Sequence, residues 1–230
     1  METEQEIQDA ARTIISFTDS QANKKERRQN EQPESESADS LIEITAYLED
    51  LRDKIRNNNA IKQMIKNQNL LRPLASLTIF KLGNHSNQEV DRLRFNVRSN
   101  SRWCLRWIQE YGDAQEFADL VNVEYGKVIC ISLSTAGGIG EEDDEEIFNV
   151  LYRISYFLRE LHKDRNHYQP SFQPLPLHVR KTEEQIEEEG AIEEVEAQLN
   201  NYGPQYQEVK FLANKARAEI LNHFINRRRI

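Results

Sequence analysis

The stretch Asp143–Leu161, DDEEIFNVLYRISYFLREL, decides the fold class. The residues Ile147, Val150, Leu151, Ile154, Phe157, Leu158 and Leu161 are apolar and separated by 3, 1, 3, 3, 1 and 3 positions. Those steps draw one apolar stripe down a helix of 3.6 residues per turn. Acidic residues crowd the first turn and Arg159 sits near the end, which suits the helix dipole. The stripe is too wide for a solitary surface helix, so this segment packs against other helices.

The rest of the chain agrees. Its 230 residues are enough to bury a sizeable core. Gly and Pro are scarce, 8 and 6 residues, which disfavours an all-β sandwich or barrel. The net charge of −9 argues against a general nucleic-acid coat but leaves room for a local basic patch. Two cysteines, Cys104 and Cys130, lie far apart with no CxxC spacing and read as reduced thiols. No secretory leader opens the chain and no apolar run reaches the ~18 residues of a membrane span. The expected location is the cytosol or the nucleus.

Before the folded part lies a polar arm, residues 1–39, expected to be disordered. Ile7, Ala10, Ala11, Ile14 and Ile15 allow one short docking helix, but residues 18–39 hold no large apolar side chain to offset the entropy of ordering. Lys24, Lys25, Arg27 and Arg28 in this arm, with Arg227, Arg228 and Arg229 at the other end, form a candidate basic patch for RNA or an acidic partner.

The helical domain is expected over 40–164. Ser40 and Glu43 have capping-box spacing, followed by a stripe of Leu41, Ile44, Leu48, Leu51 and Ile55. A second helix is expected over about 60–68, and three more pieces between 87 and 125. Gly112 ends the second of these and Asp113 caps the third. Trp103 and Trp107 share one helix face. With Tyr111 they are candidate partner-binding residues, core packing being the alternative. GKVICISLS, 126–134, reads as a buried helix or a strand.

Three features invite a chemical reading and fail its spacing test. The loop STAGGIG, 134–140, precedes an acidic run that would repel phosphate. That acidic run lacks EF-hand spacing. His162, Asp164 and His167 read as solvated rather than metal-binding. No catalytic, metal or cofactor-binding set emerges.

A Pro-containing linker is expected over 165–180 and a C-terminal helical pair over 181–230, packed on the same domain. In that pair Gly190-Ala191-Ile192 followed by Val195 and Leu199, then Val209, Ala213, Ala216 and Ile220-Leu221-Asn222, resembles an armadillo-type repeat. Trp107-Ile108-Gln109-Glu110-Tyr111-Gly112, followed by Phe117-Ala118 and Leu120-Val121, looks like the start of the GTPase-binding, regulatory region of diaphanous-type formins. The chain lacks the proline-rich, actin-assembling part of a formin. These resemblances imply an all-α, stacked-helix (armadillo-like) domain with a groove for a peptide or small GTPase. The function expected is therefore non-catalytic protein binding, in a regulatory or scaffolding role. The alternative is a viral or pathogen accessory protein that binds RNA or a host factor through its basic segments.

Overall fold

The computed structural model describes residues 2–27, 37–57, 69–134, 144–163, 165, 170–200 and 206–226. Among these residues there are ten helices and no strand, so the chain is all-α. No helix of the described residues is long and apolar enough to cross a membrane. The chain divides into two units, 1–111 and 112–230.

The first unit holds α1 (Glu2–Arg27), α2 (Ala38–Asn57), α3 (Leu71–Leu77) and α4 (Gln88–Tyr111). Helix α1 corrects the expectation of a disordered arm over residues 2–27. Ile7, Ala10, Ala11 and Ile14 are all buried, and α1 packs on α2 and α3. Phe17 meets Phe80 with ring centroids 5.5 Å apart. Burial of each large apolar side chain contributes about 1.5–3 kcal/mol, enough to hold a helix whose outer face is wholly polar. Residues 28–36 lie outside the described residues, as does the helix expected over 60–68.

Helix α2 begins earlier than its sequence signal. Ser37, not Ser40, caps it, since the Ser37 Oγ accepts from the Ser40 backbone N–H at 3.2 Å. Its stripe of Leu41, Ile44, Leu48, Leu51 and Ile55 is buried, and α4 is its chief neighbour. Across that contact Arg52 donates to the Asn100 Oδ1 at 2.7 Å, and the Cys104 thiol points to the Leu48 carbonyl at 3.7 Å.

The two helical pieces expected between 87 and 111 are one helix. Across the join, the Asn100 and Ser101 side chains donate back to the Asn96 and Val97 carbonyls one turn earlier, at 3.0 and 2.8 Å. Along α4 runs a row of buried arginines at four-residue spacing. Arg94 donates to the Asn84 carbonyl at 2.7 Å, Arg98 to that of Phe80 at 3.3 Å and Arg102 to that of Thr78 at 3.1 Å. These guanidiniums supply donors to the carbonyls of the irregular turn that follows α3, a turn that includes the left-handed Lys81 (φ 49°).

The second unit holds α5 (Ala114–Asn122), α6 (Tyr125–Ser134), α7 (Asp144–His162), α8 (Pro176–Glu188), α9 (Ala191–Gln198) and α10 (Tyr206–Asn226). Gly112 and Asp113 act as expected. The Asp113 carboxylate accepts from Gln115 and Glu116, and the Glu116 carboxylate accepts from the Asp113 N–H at 2.6 Å, a complete capping box. Residues 125–134 are a helix, not a strand, buried on most sides.

Helix α7 carries the predicted stripe, every member of which is buried. It packs on α6, α8 and α10. Phe157 is its pivot, stacked on Phe117 at 5.5 Å and meeting Tyr125 edge-on at 5.1 Å. After α7 the chain folds back on itself, with the Arg165 N–H donating to the Phe172 carbonyl at 3.1 Å and that of Leu175 to the Leu161 carbonyl at 3.0 Å. Arg165, Phe172 and Val179 are buried, so the described residues of the expected linker contribute to the second unit's core. Arg165 is its clamp. It donates to the Gly112 carbonyl at 2.9 Å, faces Glu160 at 3.6 Å and lies over Phe117 and Phe172.

The run 181–200 is two helices. Pro176, fixed at a helical φ and lacking an N–H, starts α8 at its first position. Gly190, at φ +65°, turns the chain into α9 through a conformation that disfavours other residues. Helix α10 buries Val209, Leu212, Ala213, Ala216 and Ile220, chiefly on α7 and α9.

Candidate functional site

The fourth arginine of the α4 row leads to the candidate site. Arg106 follows Arg102 by one more four-residue step, and its guanidinium lies over Trp103 at 4.5 Å and over Trp107 at 5.5 Å from the ring centroids. Glu110, one turn on, pairs with it at 3.7 Å. Trp103, Trp107 and Tyr111 recur every four residues, so helical geometry places them in a column roughly 12 Å long. The two tryptophan centroids are 5.8 Å apart, and Trp107 stacks on Tyr111 at 5.7 Å with only 15° between the planes. Arg56, at the end of α2, covers Trp107 from the side at 5.4 Å.

The three rings are half-buried, with neither the full burial of core residues nor the exposure of surface ones. Each is held by a neighbouring ring or guanidinium, so little rotamer freedom remains to be lost when a partner docks. Large flat side chains so fixed, with guanidiniums over their faces, are the composition of protein-binding hot spots. The sequence placed Trp103, Trp107 and Tyr111 on one face but gave no role to Arg56 and Arg106. The signal for Arg106 was available: arginines at 94, 98, 102 and 106 share one helical face.

The other sequence candidates are not brought to this site by any described contact. Lys24, Lys25 and Arg27 fall on the last turns of α1, while Arg28 and Arg227 to Arg229 lie outside the described residues. His162 faces Glu183 at 3.4 Å inside the second unit, and Asp164 and His167 lie outside the described residues. Among the described residues no cluster of three or more His, Cys, Asp or Glu is placed to hold a metal. Both thiols are buried. Burial pushes the Cys130 thiol up to about 12 and moves Cys104 in the same direction, so neither is a ready nucleophile at neutral pH.

A shallow cavity of about 460 Å³ also opens in the first unit, between α1 and the turn after α3. Leu77, Ile79, Phe80, Leu82 and Ala22 make it largely apolar, and Lys81 is its one ionisable group among the described residues.

No protein-family model matches the sequence, and no curated protein resembles it at a significant level.

Proposed function

We propose that the chain is a non-catalytic protein-binding module, acting in regulation or scaffolding. The observation that carries this reading is the ordered, half-exposed column Trp103–Trp107–Tyr111 with Arg56 and Arg106 over its rings. The segment it fits brings aliphatic or aromatic side chains to the rings and a carboxylate to the exposed Arg56. Such a segment is a peptide of a larger protein or a surface loop of a small GTPase. The armadillo-type resemblance points the same way, since stacked helices offer grooves of this kind. The acidic chain as a whole, at net −9, favours approach of a partner with basic surroundings.

The test uses the full chain to capture partners from cell extract, with and without nuclease. The two tryptophans of the chain both stand in the column, so intrinsic emission reports directly on its occupancy. A purified partner should shift that emission, and Trp107→Ala should weaken binding by at least about 30-fold, the mark of a hot-spot residue. A partner whose affinity survives both Trp103→Ala and Trp107→Ala refutes the assignment. Recovery of RNA that dissociates steeply with salt would move the function to the basic segments.

A further inference from the structure

A second group of side chains, in the other unit and independent of the column on α4, has a different chemistry. On α7, Tyr152 and Tyr156 are one turn apart and stack with centroids 4.1 Å apart. Arg159, less than one turn further, places its guanidinium 4.5 Å from the Tyr156 centroid. From α10, Lys215 reaches across the helix pair to put its Nζ 4.0 Å from the same centroid. All four side chains are partly exposed. Two cations from two helices thus converge on one phenol.

Their surroundings make this convergence informative. The neighbouring cation, Lys163, is neutralised by Glu219 at 3.5 Å, the ordinary arrangement on an acidic protein. Among the described residues neither Arg159 nor Lys215 has a carboxylate partner. They are held by the π face of Tyr156, which fixes their position without cancelling their charge. The phenol responds to them. Burial pushes the Tyr156 hydroxyl up, but hydrogen bonds with Tyr152 and Lys215 and the charges of Lys215 and Arg159 outweigh it, and the net shift is downward. A hydroxyl in that field is a good hydrogen-bond donor to an anion.

The geometry points to a binding site for a phosphate-monoester dianion, formed by Arg159, Lys215 and the Tyr156 hydroxyl and serving a phosphorylated side chain of a partner protein. A phosphomonoester carries about −1.5 to −2 charges and three acceptor oxygens near neutral pH, which matches two cations and a hydroxyl. A nucleic-acid strand fits less well. With Tyr152 stacked on it and two cations within 4.5 Å of its centroid, the Tyr156 ring is already engaged, and a base needs an open face.

The full chain, labelled with ¹³C at tyrosine Cζ, is titrated at constant ionic strength with inorganic phosphate and, separately, with N-acetyl-phosphoserine amide. The Tyr156 resonance is assigned by its loss in Tyr156→Phe. Both probes should shift it saturably, the phosphoserine amide at lower concentration. Lys215→Gln and Arg159→Gln should each weaken binding by at least about tenfold, as loss of a charge-assisted hydrogen bond requires. Lys163→Gln, which removes a cation already paired with Glu219, should change it less than about twofold. Lys215 protrudes from α10, so its variant tests the site even where Arg159→Gln fails to fold. Absence of saturation by about 10 mM of either probe overturns the site. Equal weakening by Lys163→Gln does so too, since general charge would then explain the binding. Binding of inorganic phosphate with exclusion of the phosphoserine amide overturns the side-chain source. Displacement of either probe by a lower concentration of single-stranded oligonucleotide assigns the site to nucleic acid and refutes the proposal.

Discussion

Replacing Arg165 by methionine should unfold the second unit at markedly lower denaturant. Methionine keeps much of the aliphatic bulk and removes only the guanidinium. That group is 6% exposed, faces Glu160 at 3.6 Å and donates to the Gly112 carbonyl at 2.9 Å. A hydrogen bond from a charged donor contributes about 1.5–3 kcal/mol, and here its loss also strands a buried carbonyl. The two cation–π contacts, at 5.5 and 5.8 Å, add roughly 0.5–1 kcal/mol each. Adding the full Coulomb attraction of Glu160 would overshoot, because the buried guanidinium and the partly buried carboxylate both lost water on folding. Breaking a buried pair by removing one partner costs about 3–5 kcal/mol in total, so a loss of about 3–4 kcal/mol is expected. With a urea slope of about 2 kcal/mol/M, the midpoint should fall by nearly 2 M. Arg165→Lys should lose only about half as much, since it keeps the charge but not the planar fork. Urea denaturation of the full chain followed by far-ultraviolet circular dichroism measures both. A loss under about 1 kcal/mol for Arg165→Met, or equal losses for the two variants, would refute the clamp reasoning.

Ile14→Ala, which opens a hole under α1, should destabilise the first unit by about 2–5 kcal/mol in the same urea assay; an undocked arm would give less than about 0.5 kcal/mol. The buried Cys104 and Cys130 should resist a thiol-reactive aromatic disulfide at pH 8 in the native protein and react together once urea unfolds it. A methyl added at Gly126 would lie 3.0 Å from the Thr182 Cγ2, so Gly126→Val should cost about 1–3 kcal/mol in urea denaturation. Gly126→Ala should cost less, because alanine's helix propensity offsets about 1 kcal/mol.

What could be read from the sequence was what is local. The stripes of α2, α7 and α10 are periodic over several turns, and Gly112-Asp113 carries its boundary in its own chemistry. The all-α class follows from these. What escaped depends on partners distant in the chain. From Ile7 to Phe17 the stripe of α1 shows as a short docking helix, but residues 18–27 hold no large apolar side chain, and their helix does not show in the sequence. The continuity of α4 through residues 98–102 escaped because Asn100 and Ser101 bond one turn back, which spacing does not display. Gly190 opens a helix as its sequence context suggests, but the left-handed backbone that separates α9 from α8 there does not show in the sequence. At the candidate site the three aromatic residues were legible from spacing alone. Arg56 was not, because it comes from α2, and Arg159 and Lys215 meet only when α7 and α10 pair.

The arginine row on α4 has a consequence for the order in which the first unit assembles. The Arg94 bond to Asn84 spans 10 residues, that of Arg98 to Phe80 spans 18, and that of Arg102 to Thr78 spans 24. Each bond is therefore nested inside the next, like teeth of a zip whose slider starts at the Asn84 end. The smallest ring closes with the least entropy loss, and every later tooth meets a gap already shortened by the one before. Because these three bonds end on backbone carbonyls, they do not depend on which side chains occupy Thr78, Phe80 and Asn84. The side chains there answer to a different demand, since Phe80 still carries the contact with Phe17 that docks α1.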